Sequence, residues 1–173
     1  PLGHSRGIWL RDAVRDISHS IDALRGKWEI EIAALFSQIG SISLPQDLLR
    51  DHLAGANKKT QKSDIVADIP TIGADLVRRI PYLEEVGQII RYQDKHYNGQ
   101  GKPDDNIAGN GIPLGARVLK ILHDFKDLSR DNDNRYRIQT EMRARIGTYD
   151  EELLEAIIPL CPLVNEANVA KGG

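Results

Sequence analysis

The stretch from Asp94 to Gly111, DKHYNGQGKPDDNIAGNG, limits what this chain can become more than any other. Glycines at 99, 101, 109 and 111 and a proline at 103 are too many breakers for a helix or an interior strand. The segment must be a long loop, and loops of this length inside compact domains are usually functional. The run after it, IPLGARVLKILHDFKDL, spaces Leu114, Val118, Leu119, Ile121, Leu122, Phe125 and Leu128 around a strongly apolar helix, expected at the centre of the core.

Helical spacing dominates elsewhere too. Leu10, Val14, Ile17, Ile21 and Leu24 form one stripe of a helix over 7–25, closed by Gly26. KWEIEIAALFSQIG alternates at first, but Ala33, Ala34, Leu35, Phe36 and Ile39 restore a helical face, so it reads as a buried helix. A short helix starts at Pro45 and carries Leu48, Leu49 and Leu53. Residues 56–63 read as an exposed loop. Thr71 is the expected cap of IGADLVRRI, Pro81 the corner, and Leu83, Val86, Ile89 and Ile90 the face of the next helix. A polar helix near 134–145, a turn at Gly147, a last helix YDEELLEAI and a Gly-rich tail complete the chain. With no strand pair and no internal repeat, the fold class is all-α.

At 173 residues the chain is one ordinary domain, and 23 basic against 25 acidic residues leave a formal charge of -2. Such a balance gives no global field for nucleic acid or an anionic membrane. No apolar run of about 18 residues and no secretory leader occurs, so a cytoplasmic protein is expected. The lone Cys161, in LEAIIPLCPLV, reads as a buried thiol. Pro1-Leu2-Gly3 has the look of a tag scar, which sets the expected boundaries at 1–3 for the remnant, 4–160 for the domain and 161–173 for a C-terminal tail.

Local chemistry motifs are few. His123-Asp124 could hold a metal or relay a proton, but neighbours on a helix point about 100° apart. The five histidines (His4, His19, His52, His96 and His123) show no ligand spacing within one element. Asp131-Asn132-Asp133-Asn134 lacks the glycine of a calcium loop and reads as a capped turn. YNGQGKP neither follows a strand nor opens a helix, and no Gly-x-Ser-x-Gly elbow is present.

Taken together, HYNGQGKPDDNIAGNGIPLGARVLKILHDFKDL resembles the HD-GYP family, whose members carry H-H-E-x-x-D-G-x-G-Y-P, a variable loop, then I-P-L-x-A-R-I-L-x-V-A-D-x-F-D-A-L. Upstream, LFSQIGSISLP is similar to the family's L-x-H-D-I-G-K-I-x-I-P, and IPTIGADLVRRI to its H-P-x-x-G-A-x-I-L. Downstream, GTYDEELLEAI is similar to its closing G-x-x-F-D-P-x-L-V-E-A, and His4-Ser5-Arg6 to the H-S-x-R-V of its first helix. The resemblance implies an HD-domain-like helical bundle of about seven helices. It also implies a scaffold on which active members hold two or three iron or similar divalent ions against cyclic-di-GMP.

Several family positions are changed. The paired His-Asp falls on Ser37 and Gln38 and the following lysine on Ser41; the histidine before the proline falls on Ile69; the adjacent histidines fall on Gln93 and Asp94; the last aspartate falls on His123. Asn98 and Lys102 stand at the first aspartate and the tyrosine of the glycine motif, and of the family's usual metal ligands His4 alone is kept. These changes lead to the expectation of a catalytically inactive domain without metal or cofactor, a regulatory or protein-interaction module in bacterial signalling and the output part of a response regulator or sensor. Its partner surface would be Tyr97, Asn98, Gly99, Gln100, Gly101, Lys102 and Pro103, against a GGDEF-type or other signalling domain. Two alternatives stay open. One is a receptor for cyclic-di-GMP or another nucleotide, with Arg79, Arg91, Lys102 or Arg117 on phosphate. The other is a metal-dependent phosphodiesterase with a site rebuilt around His123 and Asp94.

Overall fold

The computed structural model describes residues 2–39 and 62–163, the side chains of 2–5, 62–68 and 131 excepted. Among the described residues there are seven α-helices and no strand: α1 (Leu2–Ser20), α2 (Trp28–Phe36), α3 (Lys62–Val77), α4 (Glu84–Tyr92), α5 (Leu114–Asp131), α6 (Arg135–Ala144) and α7 (Glu151–Ile157). Short 3-10 turns stand at Asp22–Leu24 and Gly109–Gly111. The expected short helix from Pro45 to Leu53, with Gly40 and Ser41 before it, lies outside the described residues.

α5 is the central strut, touching α1, α2, α4, α6 and α7. Its Val118, Leu119, Ile121, Leu122 and Phe125 are all fully buried, as the apolar spacing requires. Leu10, Ala13, Val14 and Ile17 on α1 and Val86, Ile89 and Ile90 on α4 close over it. Gly7 lets α1 meet α2 closely: a Cβ there would stand 2.6 Å from the Leu35 carbonyl oxygen. That contact brings the N-terminal end of α1, and Arg6 with it, within reach of α5. At the other end of the core Cys161 and Leu163 are buried, so the chain stays packed beyond α7. Burial pushes the Cys161 thiol up to about 12, leaving it protonated and unreactive.

Two local expectations are corrected. The helix expected to begin after a cap at Thr71 already runs from Lys62, straight through Pro70, so Lys62 and Ser63 are helical rather than loop. Proline removes one helical hydrogen bond, at a cost of about 3 kcal/mol in an isolated helix. Here Pro70 is buried, and Ala74 and Val77 beyond it are sealed in the core, so packing overrides the local preference. The polar helix behaves as read: Asn134 caps α6 by accepting from the Arg137 N–H at 3.2 Å, and Asp150 caps α7 through Leu153 N–H at 3.2 Å.

Candidate functional site

The glycine-rich segment is an ordered loop pinned from within and from outside. Inside it, fully buried Lys95 donates to the carbonyls of Pro103 at 2.7 Å and Asp105 at 3.0 Å and pairs with the Asp105 carboxylate at 3.1 Å. Outside it, the Tyr97 and Asn98 N–H groups donate to the carbonyls of Thr148 and Gly147. Gly101 takes φ +84° where a Cβ would stand 3.1 Å from the Asp94 carbonyl and 3.6 Å from the His96 ring. The left-handed backbone, which favours glycine, thus holds Asp94 and His96 at the mouth of the loop.

Behind them the structure joins three positions that the resemblance singled out. Buried Gln93 donates through Nε2 to the Ser37 carbonyl at 3.0 Å, and its Oε1 lies 2.9 Å from His123 Nε2. Arg6 donates to His123 Nδ1 from Nε at 3.1 Å. A guanidinium can only donate, so His123 is neutral with its proton on Nε2, and the Gln93 amide orientation follows from it. Burial, then the charge of Arg6, lowers the His123 pKa to about 3. Arg6 grips Asp127 at 2.7 and 3.0 Å; burial alone would raise the Asp127 pKa, but the guanidinium holds it below the usual value.

In front of this relay Asp94, His96, Lys120 and Asp124 come near enough to feel one another's charge, a cluster termed the recess. Asp94 is reached by solvent, yet protein crowds it closely enough that burial pushes its carboxyl up; the carboxylates of Asp124 and Asp127 add to that, while Lys120 and Arg6 oppose it. Half-buried His96 is shifted down by burial and by Lys120, against the pull of Asp124 and Asp94. Among the described residues neither Asp94 nor His96 has a side-chain hydrogen bond or ion pair. Lys120 and Asp124, one turn apart on α5, form the facing wall, with Lys120 Nζ 3.0 Å from both Asp124 oxygens. His123 and Asp124 do point apart, one into the relay and the other to this wall.

The other sequence-derived candidates lie elsewhere. Gln38 and Ile69 are half-buried on the α2 end and on α3, and the His4 side chain is outside the described residues. Arg79 and Lys102 are exposed and Arg91 half-buried. Arg117 is spoken for, donating to Asp150 at 2.6 Å and to Asn110 at 2.9 Å. Sequence reasoning passed over Arg6, Lys95, His96 and Lys120. Lys120 and Asp124 carried a readable signal, an i,i+4 pair of opposite charge; Arg6 carried none, because its partners lie on another helix.

Among the described residues no group of three or more His, Cys, Asp or Glu is placed to hold a metal ion. Cations already stand on the nearby carboxylates, Arg6 on Asp127 and Lys120 on Asp124, so the described residues by themselves fit an anionic oxygen rather than a divalent ion. No described helix is long and apolar enough to cross a membrane.

A family model described as HD domain matches residues 4–152. The 3'3'-cGAMP-specific phosphodiesterase 3 of Vibrio cholerae serotype O1 (strain ATCC 39315 / El Tor Inaba N16961) is 34% identical over 88 residues, which cover 50% of this chain and 19% of that protein. A solved structure of the cyclic GMP-AMP-specific phosphodiesterase V-cGAP3 of V. cholerae matches 99% of this chain and 46% of its own, with a TM-score of 0.67 at 20% identity, a likeness of fold. The chain therefore spans under half the length of the solved relative and about a fifth of the curated one.

The all-α, HD-type bundle expected from the sequence is thus found. The expectation of a catalytically inactive, non-enzymatic module is corrected: the relative that matches half of the chain is by name a phosphodiesterase, and the changed family letters do not by themselves show inactivity. The physical reason is that changed residues do not empty the site. The recess still gathers carboxylates, an imidazole and cations.

Proposed function

The chain belongs to the HD-domain family, and from that premise we propose that it is the HD domain of a phosphodiesterase that opens a cyclic dinucleotide, with the recess at Asp94, His96, Lys120 and Asp124 receiving the phosphodiester. The 34% identity to a 3'3'-cGAMP-specific phosphodiesterase carries the reading. The family match spans every residue of the recess and of the relay behind it, from Arg6 on α1 to Asp127 on α5.

The geometry suits the task. Hydrolysis of a phosphodiester needs a group to take a proton from water, a group to return one to the leaving oxygen, and positive charge near the phosphate. His96 and Asp94 are the described polar side chains of the recess whose atoms are free for proton transfer. The residues named here bind the phosphodiester, orient it and exchange protons. The place of action that goes with this reading is the cytoplasm, where signalling through cyclic dinucleotides takes place.

The test is incubation of the protein with 3'3'-cGAMP and with cyclic-di-GMP, in buffers containing Mg2+, Mn2+ or Fe2+ in turn, with products separated by chromatography. Linear dinucleotide from 3'3'-cGAMP is the expected result. No product from either nucleotide with any of the ions overturns the reading.

A further inference from the structure

Lys120 and Asp124 occupy positions that the HD-GYP pattern leaves variable, the x residues of I-L-x-V-A-D-x-F, so the cation on this wall is a feature of this chain rather than of the pattern. It is also unusually well braced. Asp124 accepts from Lys120 with both oxygens at 3.0 Å, from the Tyr149 hydroxyl at 2.6 Å and from Arg145 at 3.3 Å. Arg145 is in turn held by Glu141 at 2.7 Å. Tyr149 is 4% exposed, and burial raises its pKa, so its hydroxyl remains a donor to the carboxylate.

A carboxylate with its lone pairs so filled is fixed, and it fixes the ammonium beside it. Lys120 has three donors, and the Asp124 edge leaves part of that capacity for a ligand. The Lys120 side chain is only 13% exposed, so little side-chain entropy remains to be lost when an anion arrives. Other cations are less suited: Arg6 is engaged by His123 and Asp127, Arg117 by Asp150, and Lys102 lies on the exposed loop.

We propose that Lys120, positioned by Asp124, Tyr149 and Arg145, is the anion-binding residue of the recess and takes a non-bridging oxygen of a phosphate group. This rests on the reading that the recess receives a phosphodiester, and it names the residue that holds the phosphate. The shared chemistry of the ligand is a tetrahedral phosphate, either free or within a nucleotide.

The experiment follows the lysine side-chain resonances of 13C-lysine-labelled protein while inorganic phosphate, and separately 3'3'-cGAMP, is added. Lys120 is assigned by its loss in Lys120→Met. The expected result is a saturable shift of Lys120, affinity weakened about tenfold or more in Lys120→Met, largely kept in Lys120→Arg, and unchanged in Lys102→Met. Tyr149→Phe keeps the buried ring and is expected to move the Lys120 resonance and weaken binding severalfold. A shift with 3'3'-cGAMP but not with phosphate assigns the group to the nucleotide; a shift with both, to phosphate in general. Absence of a Lys120 shift with either probe, or Lys120→Met affinity equal to wild type, overturns the proposal. Lys120-dependent binding without turnover leaves it standing and removes the phosphodiesterase reading. Turnover that is indifferent to Lys120→Met does the reverse.

Discussion

Asp94 carries a cost that the fold does not need. Burial raises its pKa, so ionisation is harder in the folded chain than in the unfolded one. The penalty is present at neutral pH and vanishes as pH falls below the ordinary carboxylate range, about 3.9. Asp94→Asn is therefore expected to raise the melting temperature at pH 7 and to give no gain near pH 3; a lower melting temperature at pH 7 would contradict the assignment. His123 works the other way. Its folded pKa lies near about 3, while an unfolded histidine titrates near about 6.5. Between those values the unfolded chain takes up the proton first, so stability falls with pH by up to about 1.4 kcal/mol per unit. Urea unfolding from pH 4.5 to 7 should show that slope reduced in His123→Gln, and an unchanged slope would place the acid sensitivity elsewhere.

The loop between α4 and α5 is the element that makes the recess, and its order depends on Lys95. Lys95→Met removes the donor from the Pro103 and Asp105 carbonyls and the Asp105 carboxylate, an expected loss of about 1–3 kcal/mol. Faster amide exchange confined to residues 95–109 would show it, and wild-type exchange there would refute it. At the N-terminal end, Gly7→Ala sets a methyl 2.6 Å from the Leu35 carbonyl oxygen, and overpacking of this kind costs about 1–3 kcal/mol. The breakers of the loop and the apolar spacing of α5 were legible in the sequence because both act locally. The continuation of α3 through Pro70 was not, since the packing against α4 that permits it is not written in the local residue pattern. Lys95 was illegible for the same reason: nothing in DKHYN says that its ammonium turns inward.

For the whole molecule, resemblance and structure agree on the bundle, and the match over residues 4–152 shows the family. Function was read less well. Counting the family's changed letters at Ser37, Gln93 and His123 led to an inactive module, whereas the folded chain brings Asp94, His96, Lys120 and Asp124 into one recess that no single motif announces. Convergence of side chains from a loop and a helix is a property of the fold, visible only when both are placed. The central claim is tested most directly by turnover of 3'3'-cGAMP by wild-type and His96→Gln proteins side by side, with linear product measured by chromatography and melting temperatures compared. The account predicts product from wild type and a kcat lowered about 100-fold or more in a variant that melts normally. No product from wild type, or a wild-type rate in His96→Gln, would contradict it.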